Sequence, residues 1–208
     1  MRKSIPVYPD VERKLSPTEK FHWLIDKENR INFVMHAFIQ GALSEDTLRI
    51  ALKSVQARHP LLRVRIEQSW WGNARFRSGN VSGIPLRVVD APGDDWVKAA
   101  EDEVNTIFPV KEGPLVRCVL IKHGKERSTV LLTIHHSIGD GKSGAFLMRD
   151  LFRAASLAQK GEDSSLPAML PRKEMTAHFP PWTRGISGRW RYTGFILCIL
   201  TDVPFVLE

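Results

Sequence analysis

Apolar and polar residues follow two rhythms along this chain, and the switches between them mark its elements. Ser16-Pro17-Thr18-Glu19 puts a capping serine, a proline at the first helical position and a glutamate three residues after the cap in series, which is the pattern of a capping box. It predicts a short helix through Phe21, Trp23 and Leu24. Residues 31–40, INFVMHAFIQ, are rich in branched and aromatic side chains and end at Gly41, which predicts a buried strand. Ser44 stands ready to cap a second helix, in which Leu48, Ala51, Leu52 and Val55 recur at helical spacing until His59-Pro60 stops it. The alternation Leu62-Arg63-Val64-Arg65-Ile66 then predicts a half-buried strand.

Another strand is expected from Ile84 to Val89, followed by a helix from about Asp94 with Trp96, Ala100, Val104 and Ile107 on one face. Two β-type runs, Leu115 to Lys122 and Ser128 to Ile134, flank the turn residues Gly124-Lys125-Glu126 and predict a hairpin. Residues 135–141 break the pattern. A long amphipathic helix comes next, with Phe146, Leu147, Leu151, Ala154, Ala155 and Ala158 inward and Gly161 as its close. From Glu162 onward Pro167, Pro171, Pro180 and Pro181 punctuate a stretch that no single regular element accommodates. The chain is accordingly divided into a lobe, 1–161, and a segment, 162–208, made of a crossover linker and a further helix over Arg184 to Leu200.

With 208 residues, 43% of them hydrophobic, the chain is long and apolar enough for one sizeable core, which excludes a disordered chain. Cys118 and Cys198 lie far apart in apolar runs, so neither a zinc spacing nor a disulfide framework is suggested, and both read as small core hydrophobes in a reducing compartment. Arg2 and Lys3 are not followed by an apolar signal core, which predicts a cytoplasmic protein. The longest clean apolar run, Phe195 to Leu200, is far short of the roughly 20 residues of a membrane-spanning helix. A net charge of +7 is spread thinly and accompanies no nucleic-acid motif, phosphate loop or metal-ligand cluster, so neither nucleic acid nor a metal is expected. The basic stretch Arg184 to Arg191 before Phe195 to Leu200 suits peripheral contact with an anionic membrane or a lipidic substrate; packing against a further lobe explains it equally well.

The chemistry concentrates in the break. Val130, Leu131, Leu132 and Ile134 make the preceding strand apolar on both sides, as an interior strand is. The two-residue period sends His135 and His136 to opposite faces, so at most one of them addresses a given channel. Gly139-Asp140-Gly141 supplies a sharp turn, with Ser143 read as the cap of the helix that starts there. A histidine is thereby set beside unpaired helix N-terminal amides, a pairing of general base with groups that stabilise negative charge that suits acyl transfer. Asp140 is read as partly buried and therefore in need of a cation, Arg63 and Arg65 being the candidates. His36 and His59 are given structural roles. Trp70-Trp71 near a strand end is assigned to core or rim ahead of an acyl channel, and Ser143 is not read as a nucleophile because no G-x-S-x-G elbow surrounds it.

His135-His136-Ser137-Ile138-Gly139-Asp140-Gly141 resembles the HHxxxDG signature of the acyltransferase superfamily that includes nonribosomal peptide synthetase condensation domains, chloramphenicol acetyltransferase, polyketide-associated acyltransferases and wax ester synthases. Ala57-Arg58-His59-Pro60-Leu61-Leu62-Arg63 is similar to the RHxxLR segment upstream of that signature, and Leu15-Ser16-Pro17-Thr18-Glu19-Lys20 to the family's opening helix. The resemblance implies an α/β fold of the chloramphenicol-acetyltransferase type, a two-layer α+β sandwich with a mixed sheet flanked by helices, of which this chain carries the N-terminal lobe. It implies that His136 is the general base for attack of an alcohol or amine on an acyl thioester of coenzyme A or of a phosphopantetheine carrier. His135, Asp140, Gly141, Arg63 and Arg65 would support the site, with no bound cofactor. The expected partners are the thioester donor, the acceptor, a carrier protein, and a second lobe or further copies of the chain to complete the site. Free-standing polyketide-associated enzymes are the closest in flavour; a catalytically incomplete lobe that binds a carrier or partner is the alternative.

Overall fold

Every residue of the strand leading into the motif is buried after its first, and the rest of the fold is arranged to cover it. The computed structural model describes residues 10–70, 72–91 and 96–171. Trp71, Asp94, Cys198 and the expected helix of 184–200 lie outside the described residues. In chain order the elements are β1 (Glu12–Lys14), α1 (Pro17–Glu28), β2 (Phe33–Gln40), α2 (Glu45–Arg58), a 3-10 turn (Pro60–Arg63), β3 (Val64–Gln68), β4 (Ala74–Ser78), β5 (Leu86–Asp90), α3 (Trp96–Asn105), β6 (Val116–Lys122), β7 (Arg127–Ile134) and α4 (Gly141–Gln159).

A four-stranded sheet runs β2-β7-β6-β5. β7 is antiparallel to both neighbours, with Leu132 opposite Met35 on one side and Cys118 on the other. β5 is parallel to β6. A parallel pair needs a crossover, and α3 lies between those two strands in the chain. The sheet is thus mixed and flanked by helices, the α/β arrangement expected.

On one face, Val116, Cys118, Leu120, Val130, Leu132 and Ile134 meet α2 through Leu48, Ala51, Leu52 and Val55, and α4 through Leu147, Leu151, Ala154 and Ala155. The small alanines let the two helices and the sheet approach closely. On the other face Val119, Ile121 and Leu131 meet Trp96, Ala99 and Ala100 of α3. A second, antiparallel sheet of order β1-β4-β3 closes a smaller core in which Val64, Ile66, Ala74 and Phe76 pack with Trp23 of α1 and Leu115.

The capping box is present: Ser16 accepts from the Glu19 amide while the Glu19 carboxylate accepts from the Ser16 amide, and Arg13 holds that same carboxylate at 2.7 Å. Gly161 ends α4 with φ +71°, a left-handed conformation that glycine adopts without the Cβ clash.

Several expectations are corrected. β2 is an edge strand among the described residues, with alternating exposure, Phe38 being 61% exposed, because successive side chains leave on opposite faces and the face that carries Phe38 is only partly covered, by Trp96 of α3. The strand expected from Leu62 starts at Val64, since Pro60 starts a 3-10 turn. β1 and β4 had no strand reading; in β4 the outward Arg75 and Arg77 dilute the apolar pattern that pairing with β3 and β1 makes sense of. Phe146 is 46% exposed and Ile107 62% exposed, so neither faces the core.

Leu151 is fully buried between α2, α4 and the sheet. Leu151→Ala is expected to cost about 2–5 kcal/mol of unfolding free energy, read by urea denaturation of the full chain; a change within ~0.5 kcal/mol, as for a surface site, contradicts this packing.

Candidate active site

Strand alternation continues past Ile134 and separates the two histidines. Phe33 of β2 is the register partner of Ile134, so the ring of His136, two residues further on, meets Phe33 with centroids 4.9 Å apart. His135 leaves on the opposite face and is 0% exposed, its ring edge-on to Phe108 at 5.8 Å. The expectation that the pair splits between faces therefore holds.

Both rings are addressed by α1. His22 and Asp26 stand four residues apart, hence on one face of that helix. The His22 ring lies 4.7 Å from that of His136, and Asp26 Oδ2 lies 3.4 Å from His135 Nε2, a polar contact longer than a good hydrogen bond and ionic only when the ring is protonated. His135 Nδ1 accepts from the Ser137 amide at 3.1 Å, which assigns the neutral ring's proton to Nε2, toward Asp26. Burial pushes the His135 imidazole down to about 4, against the pull of the Asp26 carboxylate. His22 is also held below the ordinary histidine value, by partial burial first and then by the charge on His136. His136 itself is half-buried, and its Nδ1 is buried without a hydrogen-bond partner among the described residues.

Asp140 departs from its expected setting. It is exposed and forms no ion pair among the described residues; Arg65 donates to the Gly79 carbonyl instead, and Arg63 is not its partner either. Asp140 is the N-cap of α4, where one carboxylate oxygen accepts from the Ser143 amide at 2.8 Å and the Ser143 hydroxyl at 2.7 Å. These hydrogen bonds hold its carboxyl below the ordinary carboxylate value. Ser143 is thus not the cap but the third residue of the helix, and its amide is already engaged. Gly141 opens the helix with no atom within 4 Å of where a Cβ would stand.

The internal ion pair exists, but at Asp150. That side chain is 5% exposed and accepts from Arg58 Nε at 2.8 Å and Arg149 Nη2 at 2.9 Å, with His59 Nε2 at 3.0 Å. Burial alone would raise its carboxyl; the hydrogen bonds from Arg149, Arg58 and His59 overcome burial and hold it below the ordinary range. His59, given no partner in the sequence reading, has this one. Arg58 also donates to the Pro167 carbonyl, and its own carbonyl accepts from the Met169 amide, so the start of the proline-rich segment is tied to α2.

A cavity of about 490 Å³ opens beside the motif turn, lined by Leu62, Ile138, Gly139, Asp140, Leu147 and Leu170 among others. His59 is on its wall, and His136 is not among the residues that line it. No group of three or more metal-ligating side chains occurs among them, and no described helix is long and apolar enough to cross a membrane. His22, Asp26 and Asp150 were not singled out from sequence. The four-residue spacing of His22 and Asp26 on a capped helix was the available signal; Asp150 on an amphipathic helix gives none.

The family model for the condensation domain matches residues 20–175. Malpinin synthetase of Mortierella alpina is 26% identical over 214 residues, which is 96% of this chain and 3% of that protein. PF 1022-synthetase of a Rosellinia species is 33% identical over 153 residues, 72% of this chain and 5% of that protein. Among solved structures, the first condensation domain of the calcium-dependent antibiotic synthetase, in complex with a substrate analogue, is similar with TM-score 0.67 at 21% identity, over 77% of this chain and 41% of that one. Polyketide synthase associated protein 5 from Mycobacterium tuberculosis is similar with TM-score 0.58 at 23% identity, over 80% of this chain and 38% of that one. The chain spans less than half the length of each.

The buried His135 has a consequence in acid. An unfolded chain takes up a proton at this residue near the ordinary value of 6.5, whereas the folded chain resists until about 4. Across that window the unfolded state binds more protons, so stability falls as pH falls. Urea denaturation between pH 7 and 4 is expected to show this decline, with a shallower slope in His135→Gln; equal slopes in the two proteins contradict the assignment.

Proposed function

The chain belongs to the condensation-domain family, and from that premise we propose that it is the N-terminal half of an acyltransferase with His136 as general base. The acyl group comes from a thioester on coenzyme A or on a carrier-protein phosphopantetheine and passes to an alcohol or amine. The observation that carries this reading is the ring of His136, half-buried at the exit of an interior strand and walled by Phe33 and His22, with Nδ1 buried and without a hydrogen-bond partner among the described residues. An imidazole is the side chain whose ordinary titration lies nearest neutral pH, which suits a group that must both accept and return a proton.

In this mechanism His136 takes the proton of the acceptor's O–H or N–H as that atom bonds to the thioester carbonyl carbon. The carbon–sulfur bond breaks as the tetrahedral intermediate collapses, and the imidazolium returns the proton to the departing sulfur, releasing a thiol. His135 is the packed partner that fixes where the strand ends. Asp140 and Gly141 shape the turn, Asp140 by capping α4 and Gly141 by leaving the space beside the helix start open. Arg63 and Arg65 belong to the frame of the upstream segment. A second lobe or a further copy of the chain supplies the opposite wall of the substrate channel.

Incubating the purified full chain with coenzyme A and carrier-bound acyl thioesters and a set of amines and alcohols tests the reading by thiol release. Release is expected to fall by about 10²-fold or more in His136→Ala and to persist in His135→Gln. No release with any donor counts against an enzyme, and tight binding of a loaded carrier without turnover makes the chain a carrier-binding module.

A further inference from the structure

Helix α1 sends a second imidazole to the proposed base, and neither the signature nor the RHxxLR segment includes it. His22 sits on the same face as Asp26, one turn earlier; Asp26 reaches His135 at 3.4 Å and His22 reaches His136 with ring centroids 4.7 Å apart at a tilt of 41°. Phe33 lies on the His136 ring from β2, at 4.9 Å and 53°. The His136 ring is therefore walled by two aromatic rings from two elements, both anchored away from the turn. Phe33 is held by the β2–β7 register, and His22 by a helix whose first turn is locked through Ser16, Glu19 and Arg13.

We propose that His22 is a positioning residue for His136: its ring is the wall on the α1 side that sets the orientation of the His136 imidazole toward substrate. This rests on the reading of His136 as the base. The turn after β7 contains Gly139 and Gly141, so it does not by itself fix a side chain three and five residues earlier; a wall from another element does. The charged and titratable groups around the pair are Asp26 of α1, His135 at the end of β7 and Asp140 before α4. β2 contributes only the uncharged Phe33. With His136 charged, a charge on His22 is disfavoured, so the wall remains a neutral ring while the base cycles its proton.

The test joins a titration that needs no activity to one that does. Histidine ring resonances of the full chain are followed against pH in wild type, His22→Ala, His22→Phe and His136→Ala. The His22 midpoint is expected below the ordinary histidine value in wild type and higher in His136→Ala, where the neighbouring charge is gone. The His136 resonances are expected to shift in His22→Ala and to return toward wild type in His22→Phe. In thiol release, kcat is expected to fall on the order of tenfold in His22→Ala with KM unchanged, as a small misplacement of a catalytic group does, and to recover in His22→Phe. A His22 midpoint indifferent to His136→Ala, or His136 resonances indifferent to His22→Ala, overturns the proposal. A wild-type chain that releases no thiol overturns the acyltransferase reading instead, and leaves the two titrations to decide the ring pair.

Discussion

The structure depends on β7 being covered on both faces and both edges at once. β2 and β6 take its backbone hydrogen bonds, α2 and α4 cover one face and α3 the other. A strand enclosed in this way cannot slip by one residue without turning every side chain to the wrong face. The point at which it ends, and the faces on which the next two residues depart, are therefore determined by the packing of the whole lobe. His135 and His136 inherit their different surroundings from that constraint: one ring has no exposure and is held against Phe108 and Asp26, the other lies half-buried between Phe33 and His22.

Charge is distributed according to the same enclosure. Buried carboxylates need partners, and the two most deeply held ones outside α1 have them. Asp150 is gripped by Arg58, Arg149 and His59. Glu103, on α3, is reached by Arg87, Arg117 and the Thr133 hydroxyl. For Glu103, burial would raise the carboxyl, but hydrogen bonds from Arg117 and Arg87 hold it below the ordinary value. Arg117 then stacks over Phe108 at 4.1 Å, the ring that abuts His135. The β7 exit is thus braced from α3 as well as from α1, and the motif turn is left with the lighter task of starting α4. Asp140 does that from an exposed position by capping the helix.

The placement of Gly144 shows how closely the two sides of the site are joined. A Cβ there would stand 2.8 Å from Met35 Cγ and 3.0 Å from Phe33 Cε2, so only a residue without one lets the first turn of α4 close on β2. The side chain this approach presses on is the same Phe33 that walls His136. Helix start, edge strand and proposed base form one packed unit, although they are far apart in sequence.

Much of this was legible in the residues themselves. The capping box before α1, the 3.6-residue recurrence of Leu48, Ala51, Leu52 and Val55, the β6–β7 hairpin and the opposite departure of the two histidines follow from local periodicity and backbone chemistry, which neighbouring residues alone decide. The edge position of β2, the pairing of β1 and β4, the outward turn of Phe146, the exchange of Asp140 for Asp150 as the buried ion-paired carboxylate and the meeting of His22 with His136 do not. Each depends on which distant surface arrives opposite a residue, since desolvation and partner choice are properties of the assembled neighbourhood and not of the side chain. The sequence by itself determined the capped helices, the β6–β7 hairpin and the opposite departure of the two histidines, because local periodicity and capping decide those; only the tertiary structure decided which strands pair at the edges, which charges are enclosed and which rings touch.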